Sequence, residues 1–245
     1  MRFELAIVAL GFAGCGFHPA LTGDALDMPG GDADAPQGPP DAYVAIVPVQ
    51  TATSTAGGSH MSDSATLAVP QKAGDLIVVV ASWAGGVTPV TCADSAGNGF
   101  KPLFAPMSIG GVTQASCYAE NIRDSTADTV TITAGSNESN IALRIVEYSG
   151  IAADALDQKA VATGTGTTAS SGQVQTTHHH ELLYGASTNT NIASGAGPGY
   201  AQRLLYAGDV VEDAEALTIG PYTATVDEGG VESWIMMLAT FRAAS

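Results

Sequence analysis

Asp75-Leu76-Ile77-Val78-Val79-Val80-Ala81-Ser82-Trp83 is the stretch that decides the fold. It is β-branched at its centre, apolar from Leu76 to Ala81, and bounded by glycines at Gly74 and Gly85-Gly86, which reads as a strand. A strand with one wet face alternates apolar and polar residues; one apolar on both faces belongs in the middle of a covered sheet. Trp234-Ile235-Met236-Met237-Leu238 reads the same way. Asp128-Thr129-Val130-Thr131-Ile132-Thr133 alternates instead, with Val130 and Ile132 directed inward and the threonines outward.

Outward from these runs, residues 43–245 punctuate themselves into short strands separated by Gly, Asn, Asp and Ser clusters. The strand-like runs are 44–49, 65–69, 75–83, 88–93, 112–121, 128–134, 140–148, 181–188, 200–206, 221–226 and 232–242. Residues 151–159 are the one helical candidate, a single short turn. Short strands with turn signals at regular spacing read as an antiparallel sandwich or barrel, and the fold expected is all-β, an antiparallel β-sandwich. There is no fixed-period repeat, which disfavours a propeller or solenoid.

Composition narrows the partners. Of 245 residues, 45% are hydrophobic, enough for a real core, while only 13% are charged. Acids outnumber bases 24 to 8, a net charge of −16 that repels phosphate backbones and excludes nucleic acid as a natural partner. Cations and neutral polymers such as polysaccharide remain compatible.

The amino terminus carries an address. Arg2 is followed by an apolar run from Leu5 to Phe12, too short to span a bilayer as a helix and suited to a signal peptide. Phe12-Ala13-Gly14-Cys15 resembles the lipobox of bacterial lipoproteins, although Phe12 replaces the usual aliphatic residue. The resemblance implies cleavage after residue 14, a diacylglycerol on Cys15 and a permanent membrane anchor. With Gly16 following, it implies the outer membrane of a Gram-negative bacterium or its surface. The plainer reading is a secretory signal cleaved elsewhere. Residues 15–42, with Asp24, Asp27, Asp32, Asp34 and Asp41 among Pro29, Pro36, Pro39 and Pro40, have too little apolar surface to fold and read as a disordered tether.

Several segments together resemble a family of secreted bacterial β-sandwich modules of uncharacterised function: 73–80, 94–98, 118–121, 144–150, 181–185 and the closing 234–242. The resemblance covers most of 43–245 and implies a jelly-roll-like fold and extracellular display, with no catalytic residues.

Lipidation of Cys15 leaves Cys92 and Cys117, an even pair in an oxidising compartment. Two readings stand: a disulfide between two neighbouring antiparallel strands, or two buried free thiols. Other candidate sites are weaker. His178 and His180 share one face if they stand in a strand leading into 181–188, and as an i, i+2 pair they could chelate zinc or copper; otherwise they are a polar strand entrance or loop with no ligand. Asp94 and Asn98 could contribute oxygens to calcium with the acidic loops 209–215 and 227–232, or simply form an Asx turn. Trp83 and Tyr200, each beside a glycine-rich loop, are candidate stacking platforms for sugar, or core residues. Glu147 stands in an apolar strand and pairs on paper with Glu232 or Asp75 as a glycosidase dyad.

The function expected is a non-enzymatic envelope lipoprotein displaying a binding or adhesion module for glycans or another envelope protein. No cofactor is required, though calcium is possible. The alternatives are a tethered polysaccharide hydrolase and a purely structural envelope component.

Overall fold

The computed structural model describes residues 43–245; the signal peptide, Cys15 and the tether proposed above lie outside the described residues. The described chain is all-β, with no helix among its residues, and forms two antiparallel sheets packed face to face. The expected sandwich is therefore present. β1 (Val47–Leu67), β2 (Leu76–Ala84), β3 (Val90–Asp94), β4 (Lys101–Ile109), β5 (Val112–Ala119) and β6 (Asp128–Ser149) make the first sheet. β7 (Ile151–Gln175), β8 (Glu181–Asn189), β9 (Gly195–Ala196), β10 (Ala201–Tyr206), β11 (Asp209–Ala216) and β12 (Pro221–Ala243) make the second.

Four segments depart from the sequence reading. Residues 151–159 open strand β7 instead of making a helical turn, because their backbone pairs along β12. Residues 101–109 form β4, an edge strand containing Pro102 and Pro106 and bonded only to β5. Residues 209–215, read as an acidic loop, lie in β11, and 227–232 lie within β12 at a break in its register. Elsewhere, pairs of short runs fuse: 44–49 and 65–69 mark the two ends of β1, and β6 and β12 each absorb two runs.

The two sheets repeat one plan. The first runs β1-β6-β2-β5-β4 with β3 on β6, and the second runs β7-β12-β8-β11-β10 with β9 on β12. Register carries the equivalence to single residues: Leu76 faces Tyr148 as Leu182 faces Phe241. Between the halves stands only Gly150, at φ +79°, where an added Cβ would meet the Ala45 carbonyl oxygen at 2.1 Å.

Long ribbons explain the strands that are apolar on both faces. On one face, Leu76, Val78, Val80, Tyr118 and Tyr148 meet Leu182, Tyr184, Met237 and Phe241 between the sheets. On the other, Ile77, Val79, Ala81 and Cys117 pack against Leu67, Val130, Ile132 and Cys92. Those last four residues come from β3 and from the far ends of β1 and β6, so the ribbon's outer half folds back over its own sheet. The second half does likewise: Leu183, Met236 and Leu238 are covered by Ala169, Val174, Ala224 and Val226 of the β7–β12 ribbon.

The interface between the sheets is not wholly apolar. Arg144 of β6 is fully buried and paired with Asp209 of β11, which also accepts hydrogen bonds from Ser82 Oγ (2.8 Å) and the Asn189 N–H (3.1 Å). A second bridge runs from Tyr148, whose hydroxyl donates to Asp213 Oδ2 at 2.8 Å, while Arg203 grips the same carboxylate with two hydrogen bonds.

Candidate functional site

Cys92 and Cys117 are joined in a disulfide, with Cα atoms 6.4 Å apart. The strands that carry them are not paired neighbours. β3 is hydrogen-bonded to the outer half of β6 and β5 to β2 and β4, so the bond ties the folded-back layer to the sheet beneath it.

The candidate sugar platforms are both engaged elsewhere. Trp83 is 3% exposed and its indole N–H donates to the Gly86 carbonyl at 3.0 Å. Tyr200 is half-buried against the outer cluster of the second sheet, with its hydroxyl donating to the Thr223 carbonyl at 3.3 Å. The Asp94–Asn98 segment closes on itself: Asp94 Oδ1 accepts the Asn98 N–H at 2.9 Å and Oδ2 accepts Asn98 Nδ2 at 2.7 Å. The pair serves its own loop, as the plainer reading has it, but the carboxylate reaches the fourth residue on, where an Asx turn reaches the second.

Glu147 is brought beside Asp75, close enough for each carboxyl group to act on the other's protonation; Glu232 lies in the other sheet, bonded to Thr190 and Asn191. Glycosidase pairs stand roughly 5–9.5 Å apart, with sugar or water between them. A pair in contact, with Glu147 fully buried, has no room for either. Burial, then the Asp75 carboxyl beside it, pushes Glu147 up to about 7.

The histidines part company. Residues 176–180 are not strand, and His180 adopts φ +56°, so His178 and His180 do not present a common face. His180 stacks on Tyr43 with ring centroids 4.2 Å apart, and its Nδ1 is 3.2 Å from Glu215 Oε1. His178 turns instead toward Asp157 and Glu181, with Nδ1 3.7 Å from a carboxylate oxygen of each.

This trio is the one grouping of three among the described residues whose His and carboxylate atoms converge closely enough to hold a metal. Glu181 opens β8 and is completely buried; Asp157 lies at the irregular stretch where β7 follows the Ala239-to-Phe241 break in β12. Burial, then the Asp157 carboxylate, raises Glu181 to about 7. Asp157 is held below the ordinary range despite its burial, because the Thr177 hydroxyl and N–H both donate to it. Beside the trio, Tyr43, Thr177, His178, His179, Ile219 and Arg242 line a pocket of about 380 Å³, where the described chain also begins and ends.

Sequence reasoning missed Asp157 and gave Glu181 no role as a ligand. One signal was available for Glu181: an acid directly preceding a buried apolar strand, as Asp75 precedes Leu76. Asp157 had none, since its place depends on the pairing of β7 with β12. Comparison with known proteins finds no matching family model, no matching curated protein and no matching solved structure.

Proposed function

We propose that the protein is an exported, lipid-anchored envelope protein whose β-sandwich serves as a non-enzymatic binding module, with polysaccharide as the ligand class. The Cys92–Cys117 disulfide carries this reading, because such bonds persist in oxidising compartments outside the cytoplasm. The lipobox-like Phe12–Cys15 segment supports the anchor, and the acidic, uncharged-polar composition supports a neutral polymer over a polyanion. The pocket at the pole of the domain supports a sugar ligand. Tyr43 and Ile219 are exposed apolar surfaces there, beside the hydrogen-bonding groups of His179 and Arg242. The contact between Asp75 and Glu147 argues against the hydrolase alternative, since it removes that dyad as a catalytic pair.

Two measurements test the proposal. In a Gram-negative host, Cys15→Ser should abolish lipid labelling and release the protein from membranes; unchanged membrane association would overturn the anchor. On a glycan array, the protein should bind neutral polysaccharides and lose signal with Tyr43→Ala. An array without signal would favour the purely structural envelope role.

A further inference from the structure

One ligand atom each from Asp157, His178 and Glu181 lies within 4.8 Å of the other two. His178 Nδ1 is 3.7 Å from Asp157 Oδ1 and 3.7 Å from Glu181 Oε1. Around a zinc ion bonded at roughly 2.1 Å, tetrahedral ligands are separated by about 3.4 Å. The two imidazole–carboxylate distances exceed that edge by only about 0.3 Å, and the two carboxylate oxygens lie within 4.8 Å of each other.

A second observation points to a ligand. Glu181 is fully buried, and its Oε2 has no donor at ordinary hydrogen-bond distance, with only the Thr240 hydroxyl and the Asp157 carboxyl beside the side chain. An acceptor left so is costly in a folded core, and a cation would satisfy it. Both carboxylates are also held from behind by the backbone: the Thr177 N–H donates to Asp157 Oδ2 at 2.8 Å, and the His178 N–H to Glu181 Oε1 at 3.0 Å. Such outer contacts orient ligands at metal sites. Thr177 Oγ1 spans the remaining edge, 2.6 Å from Asp157 Oδ1 and 2.9 Å from His178 Nδ1, where it can supply a further oxygen donor.

We propose that Asp157, His178 and Glu181 bind one divalent transition-metal ion, zinc foremost, at the pole where the described chain begins and ends. One imidazole with two carboxylates suits zinc or manganese better than calcium, which requires six to eight oxygens. Three protein ligands leave a coordination position open, and Thr177 and His178 both line the adjoining pocket. The site does not depend on the anchor or on sugar binding.

The test is calorimetric titration of zinc chloride into the chelator-stripped full chain, free of any histidine tag. The expected result is one equivalent bound per chain, a rise in melting temperature with zinc, and a loss of affinity of at least about 100-fold in His178→Ala. The His178 side chain is 47% exposed, so its removal leaves folding intact even if Glu181→Gln or Asp157→Asn proves unstable. His179→Ala and His180→Ala should bind as the parent does. Cobalt substituted for zinc should give visible absorption that His178→Ala loses. No stoichiometric binding, or undiminished binding by His178→Ala, would overturn the site. So would loss of binding in His179→Ala or His180→Ala alone, which would place the ion on the surface histidine run.

Discussion

Cys117 of β5 lies opposite Val79 of β2, and Glu212 of β11 lies opposite Gly185 of β8, so the two residues hold equivalent positions in the two sheets. Each fastens the folded-back layer of its own half. Cys117 does so through the disulfide to Cys92 of β3, and fully buried Glu212 by accepting the Gly197 N–H, beside β9, at 2.8 Å. One half is closed by a covalent bond and the other by a carboxylate. The two fastenings should therefore fail under different conditions.

Reduction should weaken the first half alone. The bond closes a loop of 25 residues in sequence, for which chain entropy gives roughly 3 kcal/mol. For a domain of this size, that corresponds to a fall in melting temperature of about 6–12 °C. Calorimetry with and without reductant measures it. Thiol titration of the unfolded, unreduced protein should find no free thiol apart from an unlipidated Cys15; two further thiols would refute the bridge.

Raising the pH should loosen the carboxylate fastening of the second half and, through Glu147, one buried acid of the first. Burial raises Glu212 to about 7, with Asp213 adding to it, and Glu228 reaches about 7 through burial and then Asp209. Glu147, beside Asp75 and near Asp128, is raised to the same value. All three stand above the ordinary value near 4.5, so the folded state holds protons that the unfolded state releases. The stability they contribute is complete below about 4.5 and is lost as pH climbs through 7. Melting temperature should fall between pH 5 and 8.5, and Glu212→Gln, which still accepts from Gly197, should reduce the fall. A flat or rising profile would contradict this account.

The inter-sheet ion pair should be costly to halve. Arg144 is fully buried against Asp209, and removing one partner strands the other's charge. Arg144→Ala should destabilise by about 3–5 kcal/mol, whereas the double change Arg144→Met with Asp209→Leu should recover most of that. The second sheet shows the apolar solution: Met237 faces Ala186 there as Arg144 faces Val80 here. Denaturant unfolding of the single and double variants decides it, and equal losses in both would remove the ion pair as the cause.

Limited proteolysis should separate the tether from the domain. The described chain enters its register at once, the Val44 N–H donating to the Ala244 carbonyl at 2.9 Å. First cuts are expected within 17–42, leaving a resistant core that begins near Tyr43. N-terminal sequencing of the core checks the boundary, and early cuts within 75–148 would move it.

The sequence by itself determined the class of fold and its centre. Leu76 to Val80 and Ile235 to Leu238 are apolar at every position, and a strand of that kind must be covered on both sides whatever covers it. The disulfide partners were legible too, as the even pair left once Cys15 is set aside, though not that they join two layers. Only the tertiary structure decided what does the covering and where the acids go. The ribbons of β1–β6 and β7–β12 fold back through pairings between residues dozens of positions apart, which no local pattern records. Asp209, Glu212 and Asp213 look solvated in sequence, yet all three are buried in β11, where Arg144, the Gly197 N–H and Arg203 meet them. Asp157, His178 and Glu181 likewise converge only because β7 and β8 both pair with β12. A carboxylate's burial depends on the partner or proton that neutralises it, and that partner is supplied by distant chain.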